Sequence, residues 1–197
     1  AWIAFAAPLA AQQVTDVTAI PLRAGVNRID RFAPDGREGQ VVLAWRDNGN
    51  AHGYSLLLVM LPGRVGASDW NVVGVEPAEA GEAFRDVIRD QPHTGEDVVR
   101  AVRLARGTLD GRPATLLLTA TRDLGEEHFL APVPVRFEVF ALASGRGDVG
   151  VTRDYFRRVL VEGSDRRFCN AELALAQRFG LPIRGERNLA NRRDGCP

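Results

Sequence analysis

A polar cluster between two apolar segments holds the side chains best suited to chemistry in this 197-residue chain. The cluster consists of Arg46, Asp47, Asn48, Asn50 and His52. A carboxylate beside an imidazole can support hydrolysis, and guanidinium and amide groups can hydrogen-bond a polar ligand. Alternatively, the same side chains satisfy backbone groups in a turn between two strands. The cluster is therefore the first candidate for a ligand site.

All three histidines follow or precede acids or amides in polar segments. His93 precedes Glu96 and Asp97, and His128 follows two glutamates. If the fold brings two of these segments together, their nitrogen and oxygen atoms could bind a divalent metal. If it does not, they are polar loop residues, and no cofactor is predicted. The ligand-binding candidates are Arg46, Asp47, Asn48, Asn50, His52, His93, Glu96 and Asp97.

Several catalytic mechanisms are excluded by residue type or spacing. The chain has no lysine, so Schiff-base, Walker and Ser-x-x-Lys chemistry cannot occur. None of the four serines lies in a G-x-S-x-G motif, and there is no H-E-x-x-H motif. We therefore predict a protein that is not an enzyme, with no catalytic residues.

Trp45 and Trp70 could stack on a ligand, but their positions within strand patterns favour the core.

Charge and the first residues indicate the partners and the compartment. The formal net charge is zero, from 25 basic and 25 acidic residues, which argues against nucleic acid as a partner. Residues 1–13, AWIAFAAPLAAQQ, are typical of a secretory signal peptide that lacks its basic start. They are too few to span a bilayer, and a buried N-terminal strand or helix is the alternative. We expect a periplasmic or secreted protein without a transmembrane span.

The two cysteines, Cys169 and Cys196, are expected to form one disulfide if the chain is exported. Closing a loop of about 28 residues would remove roughly 3.5 kcal/mol of unfolded-state entropy. The bridge would hold a C-terminal tail that has few apolar residues. Two free thiols in a reducing compartment are the alternative.

The segments that must position these residues are mostly extended. Residues 54–61 are almost wholly apolar and are predicted to be buried on both faces. Residues 98–104 and 114–121 are expected to form a hairpin, and 151–161 fits a strand better than a helix. Helices are predicted at 79–89 and after the N-cap residue Asn170. Further strands are predicted at 14–22, 26–30, 40–46, 70–76 and 135–143.

About nine strands and two short helices favour a mainly β fold. Because helices do not alternate with strands, βαβ units are disfavoured. We predict an antiparallel β-sandwich or jelly roll with two short helices. Residues 14–197 are expected to form a single domain with a disulfide-pinned C-terminal tail.

Four short motifs, in this order behind a signal-like leader, resemble a known family. They are WRDNGNAHG (45–53), PHTGED (92–97), RGTLDG (106–111) and FCNAELAL (168–175). Together they are similar to the carbapenem intrinsic-resistance proteins found with carbapenem biosynthesis genes. The resemblance implies a periplasmic, dimeric β-sandwich that helps a producer survive its own β-lactam without a hydrolytic centre. It assigns no catalytic residues, and the acidic turn expected near residues 30–38 is reduced here, which argues against an inherited metal site.

Three functions remain open from the sequence. The leading hypothesis is a non-enzymatic periplasmic protein of the carbapenem-resistance type that binds a small molecule or a cell-envelope component. The second is a metal-dependent envelope hydrolase that uses His52 and Asp47 with Glu96 and Asp97. The third is a structural module that presents a sheet edge to a protein partner. The leading hypothesis predicts saturable carbapenem binding without ring opening. The second predicts carbapenem turnover, and the third predicts a protein partner that can be recovered by cross-linking.

Overall fold

Two β-sheets pack face to face in the structure, a computed structural model that describes residues 12–50, 52–63, 69–79, 81–92, 98–128, 130–145, 152–184 and 194–196. Its elements in chain order are β1 (Val14–Ala19), β2 (Gly25–Ile29), β3 (Gly39–Arg46), β4 (Tyr54–Pro62), β5 (Trp70–Val72), β6 (Gly74–Val75), β7 (Ile88–Arg89), β8 (Arg100–Leu109), β9 (Arg112–Arg122), β10 (Val133–Ser144), β11 (Asp154–Phe168) and α1 (Ala171–Phe179). The predicted mainly β sandwich is confirmed.

Strand pairing is antiparallel except at one edge of the larger sheet. The six-stranded sheet has the order β1-β8-β9-β10-β11-β6, and its β6 runs parallel to β11. The five-stranded sheet has the order β2-β3-β4-β5, with β7 also pairing with β4. The smaller sheet is thus built from consecutive segments, whereas the larger one joins β1 to strands from the second half of the chain.

The predicted hairpin between the segments at 98–104 and 114–121 is present as β8 and β9. Leu109 pairs with Arg112, which leaves Asp110 and Gly111 as a two-residue turn. Both have positive φ angles, 50° and 78°, as a type I′ turn requires. An Asp-Gly pair tolerates this left-handed backbone, so the local sequence fixes the register of the hairpin.

The six-stranded sheet is covered on both faces. One face packs against the five-stranded sheet through a core that includes Leu57, Leu117 and Phe140. The other face packs against α1 through residues such as Leu118 and Leu175. The central strand β9 is therefore buried on both sides from residue 115 to residue 120. The described residues thus form three layers: the small sheet, the large sheet and the helix.

Helix α1 begins and ends at the residues that the sequence indicates. The side chain of Asn170 accepts hydrogen bonds from the backbone N–H groups of Glu172 and Leu173, at 2.9 and 3.1 Å. Gly180 ends the helix with a left-handed φ of 65°. Immediately before the helix, Cys169 forms a disulfide with Cys196, as expected. The bridge joins the start of α1 to residues 194–196.

The helix predicted at 79–89 is wrong. Arg85 instead pairs with Val75 in an isolated bridge, and Ile88 and Arg89 form β7 against β4. Gly81 has a φ of 95°, which is incompatible with a continuous helix. The spacing that suggested a helix has another cause, since Phe84 packs edge-on against Tyr155 while Ile88 enters the core between the sheets.

Two burial predictions are also corrected. Strand β4 is not buried on both faces, because Leu57, Val59 and Leu61 alone are fully buried and the residues between them are only partly covered. Nor do the tryptophans lie in the core, since Trp45 is 60% exposed and Trp70 is 38% exposed. No second layer of the described chain covers the outer face of the small sheet. Apolar side chains on that face include Val26, Val42, Leu58, Met60 and Val72.

No helix in the described ranges has the length and apolar character needed to cross a membrane. The disulfide is consistent with an extracytoplasmic protein, since such bridges persist in oxidising compartments. Residues 1–11 of the predicted signal segment lie outside the described residues.

Candidate functional site

The polar cluster forms the connection between β3 and β4, and its side chains bond to that connection's own backbone. Asp47 accepts a hydrogen bond from the backbone N–H of Gly49, at 2.8 Å. Asn50 accepts one from the backbone N–H of His52, at 2.8 Å. The amide of Asn48 donates to the carbonyl of His52, also at 2.8 Å. These bonds fix the loop, so three of the predicted ligand contacts have a structural role.

Trp45 and Gly53 pack closely at the base of this loop. A Cβ atom at Gly53 would lie 2.3 Å from the Trp45 ring and 3.0 Å from the carbonyl oxygen of Arg46. Only glycine allows the indole to lie this close to the backbone. The contact holds the Trp45 ring against Gly53, while Trp45 as a whole remains 60% exposed.

A cleft of about 420 Å³ opens between this loop and the end of β7. It is lined by His52, Gly53, Tyr54, Arg89, Asp90 and Gln91. The guanidinium group of Arg89 lies 5.7 Å from the centre of the Tyr54 ring, within cation–π range. The cleft therefore combines an aromatic surface, a cation, a carboxylate, an imidazole and an amide.

Asp90 is held in the cleft wall by β4. Its carboxylate accepts a hydrogen bond from the Ser55 backbone N–H at 2.7 Å, and its own N–H donates to the Ser55 carbonyl at 3.2 Å. Burial raises the pKa of Asp90, while the bonds to Ser55 and the charges of Arg184 and Arg100 act in the opposite direction. Asp90 is thus a half-buried carboxylate near two arginines.

The structure brings one predicted candidate, His52, into the cleft. Arg46, Asp47, Asn48 and Asn50 remain in the adjoining loop, where Arg46 donates to the Asn48 side chain at 3.3 Å. Their part in ligand binding stays a prediction. The candidates His93, Glu96 and Asp97 lie outside the described residues.

A metal site does not form among the residues that the structure describes. No three His, Cys, Asp or Glu side chains within those ranges are grouped so that they could hold an ion. His128 lies in the β9–β10 connection, where its ring nitrogen Nδ1 accepts from the backbone N–H of Leu130 at 3.3 Å.

The sequence alone does not single out Tyr54, Arg89, Asp90 or Gln91 as site residues. Arg89 falls at the end of the helix predicted at 79–89, and Asp90 and Gln91 follow that segment without an assigned structure. Their polar run just before Pro92 was the available signal. Its relevance depends on the pairing of Leu56 with Arg89, which a single sequence does not reveal.

The layers and strand order define the class of protein: a two-sheet β-sandwich with a helix on its larger sheet. Within that class, the fold is similar to the crystal structure of CarG, a carbapenem intrinsic resistance protein. The match has a TM-score of 0.62 and 20% sequence identity, and it covers 88% of this chain and 99% of CarG. The resemblance inferred from the four motifs is thereby confirmed as a likeness of fold. No protein-family model and no curated protein sequence matches the chain.

Proposed function

We propose that this is a non-enzymatic, extracytoplasmic protein that protects the cell from a β-lactam by binding a small molecule or a cell-envelope component. The observation that carries the proposal is the cleft beside the β3–β4 loop, in a chain with a CarG-like fold. The disulfide supports an extracytoplasmic location.

The cleft has the composition expected of a binding site for a flat, polar ligand. The Tyr54 ring lines the cleft and offers an apolar surface on which such a ligand can pack. Arg89, His52 and Gln91 supply hydrogen-bonding groups around this ring. The loop that carries His52 is fixed by its internal hydrogen bonds, so little order has to be gained when a ligand binds.

The test is to titrate the purified protein with a carbapenem by calorimetry and to follow the β-lactam absorbance of the same mixtures, with and without Zn²⁺. We expect saturable binding and an unchanged absorbance. Loss of absorbance catalysed by the protein would show an enzyme, and absence of binding would refute the carbapenem as ligand.

Variants locate the binding site. His52→Ala and Tyr54→Leu are each expected to weaken binding by about tenfold, which corresponds to about 1.4 kcal/mol. Arg112→Gln is the control, because Arg112 is exposed at the start of β9 and does not line the cleft. Equal affinities of all three variants and the unchanged protein would place the ligand elsewhere.

A further inference from the structure

A second, smaller cavity of about 190 Å³ lies at one end of the core between the two sheets. We call it the inner cavity. Arg89 lines both this cavity and the cleft beside the β3–β4 loop, which we call the outer cleft, so the two are neighbours. Arg85, Arg100 and Thr119 complete its polar wall. Arg100 and Thr119 belong to β8 and β9, on the strand faces that carry Val102 and Leu117 into the core.

Two buried hydrogen-bonding groups in this cavity have no partner. Thr119 is only 1% exposed, and its hydroxyl makes no hydrogen bond within the described structure. The Nε atom of Arg100 is also buried and unpartnered. Native proteins satisfy the large majority of such groups, because a buried donor without an acceptor loses its hydrogen bonds to water and gains none in the protein. Both groups line the same cavity, which points to an acceptor inside it.

The inner cavity is also electropositive. None of the guanidinium groups of Arg85, Arg89 and Arg100 has a carboxylate within ion-pair distance in the described part of the chain. Burial lowers the pKa of Arg100 most, the like charge of Arg85 lowers it next, and Arg89 adds to this effect.

Two carboxylates in the described part of the chain oppose this field. Buried Glu138 raises the pKa of Arg100, and half-buried Asp90, in the wall of the neighbouring cleft, also interacts with the charge of Arg100. Glu138 is already shared between two other arginines, Arg136 at 3.5 Å and Arg158 at 3.6 Å. Among the described residues, the three arginines of the cavity therefore outnumber the two carboxylates near them, which disfavours a metal cation and favours an anion.

The rest of the lining of the inner cavity is apolar and includes Val75, Ile88, Leu117 and Phe140. A phosphate or sulfate ion carries oxygen on every side and would bury some of it against these side chains without hydrogen bonds. A carboxylate attached to a short hydrocarbon group matches both the polar and the apolar lining residues, since a guanidinium group binds a carboxylate in its own plane.

We propose that the inner cavity binds the carboxylate of a small organic ligand, with Arg100 and Thr119 as donors and Arg85 and Arg89 as supporting charges. This inference rests on the proposed ligand-binding function and adds the chemical class of the ligand. The position of Arg89 places the outer part of a larger ligand in the cleft beside Tyr54.

The test uses the full chain and compares butyrate with butyramide, its uncharged counterpart, by calorimetry at constant ionic strength. We expect butyrate to bind with one-to-one stoichiometry and butyramide to bind at least tenfold more weakly. Inorganic phosphate should also bind at least tenfold more weakly than butyrate. Equal binding of butyramide or phosphate, or no binding of butyrate, would overturn the proposal.

Variants assign the site within the chain. Arg100→Gln should weaken butyrate binding at least tenfold, and Thr119→Val should weaken it several-fold while preserving the volume of the side chain. Arg112→Gln removes an equal charge from the exposed end of β9 and should change the affinity less than twofold. The assignment would be contradicted if Thr119→Val and Arg100→Gln bound butyrate with the same affinity as the unchanged protein. Should Arg100→Gln fail to fold, Thr119→Val alone decides.

A parallel carbapenem titration separates this inference from the proposed function. Carbapenem binding without butyrate binding overturns the inner site and leaves the proposed function intact. Butyrate binding that requires Thr119 and Arg100, without carbapenem binding, supports the inner site and refutes the carbapenem as ligand.

Discussion

Asp90 lies in the wall of the outer cleft and interacts with the charges of Arg184 and Arg100. Its ionisation should therefore change the free energy of unfolding of the protein. Because burial raises its pKa above the ordinary 3.8, the folded state binds the carboxyl proton more tightly than the unfolded state does. Protonated Asp90 therefore stabilises the fold below pH 3.8, and this contribution is lost as the pH rises through the higher pKa of the folded state.

The variant Asp90→Asn tests this dependence, since its amide oxygen can still accept the bond from Ser55. We expect the free energy of unfolding of the unchanged protein, minus that of the variant, to fall as the pH rises above 3.8. Urea unfolding at a series of pH values measures the difference. A difference that rises over the same range would show that attraction to Arg184 and Arg100 outweighs burial.

Arg103 and Glu172 form a buried ion pair between β8 and α1. Glu172 also accepts from the backbone N–H of Arg184 at 3.0 Å, and Arg103 donates to the Pro182 carbonyl at 3.3 Å. Glu172→Gln would leave the Arg103 guanidinium buried without a countercharge, at a cost of about 3–5 kcal/mol. Urea unfolding measures this loss.

The matched control for the buried pair is Glu162→Gln, which breaks an exposed pair with Arg178. Exposed pairs contribute about 0–1 kcal/mol. Similar costs for the two variants would mean that Arg103 regains water when Glu172 is neutralised.

At the scale of elements, α1 depends on its N-cap. Asn170 is fully buried and bonds two backbone N–H groups that have no partner within the helix. Asn170→Ala should cost about 1–2 kcal/mol, and Asn170→Ser should restore much of the loss because a hydroxyl can accept the same bonds. Thermal unfolding of the three proteins measures the effect. An equal loss in both variants would indicate that packing around Asn170, rather than capping, stabilises the helix start.

Elements set by local chemistry could be predicted from the sequence, and elements set by remote partners could not. The Asp110-Gly111 turn and the cap at Asn170 act within a few residues, and the hairpin and the helix start that they support both occur as expected. The helix at 79–89 fails because backbone pairing with Val75 and β4 overrides a weak helical spacing. The unequal cover on β4 and β9 likewise depends on where α1 packs, which the pattern of either strand cannot show.

The same distinction applies to the candidate site. The loop between β3 and β4 can be predicted from its own residues, including the hydrogen bonds from its side chains to its backbone. The cleft requires the adjacent placement of Tyr54 and Arg89, and the inner cavity requires Arg85, Arg100 and Thr119 to meet across two sheets. Arg100 is a signal of the inner cavity in the sequence, since it occupies a position in the alternating pattern of Val98, Val102 and Leu104 where an apolar residue is expected.

At the scale of the molecule, the outer apolar face of the small sheet bears on the expected homodimer. Val26 is 64% exposed and Val72 is 37% exposed, and partly covered Val42, Leu58 and Met60 lie between them. A continuous apolar face of this kind is typical of an interaction surface. We propose that a second copy of the chain covers it.

The double variant Val26→Arg/Val72→Arg tests this face without changing a buried residue. Light scattering after size-exclusion chromatography should show a dimer for the unchanged protein and a monomer for the variant, because two charges would be buried on association. The control Val161→Arg changes an exposed valine of the large sheet and should remain dimeric. A monomeric unchanged protein at micromolar concentration would contradict the homodimer.

The strand order also has a consequence for the kinetics of folding. The small sheet joins consecutive strands, whereas Val14 pairs with Leu109 and Gly74 pairs with Tyr155, so the large sheet closes only when distant segments meet. Such contacts carry a large loop-closure entropy, and β-rich folds of this kind take about milliseconds to seconds to form. We expect the small sheet to form first during refolding from urea with the disulfide intact.

A Trp2→Phe variant makes this order measurable, since both remaining tryptophans then lie on the small sheet. Their fluorescence should change before the full far-ultraviolet circular dichroism signal develops in stopped-flow refolding, and a single shared rate would contradict the order. A chain that crosses a membrane in the unfolded state would gain from this order of events. Its larger sheet could not close until the later strands, β8 to β11, had also crossed the membrane.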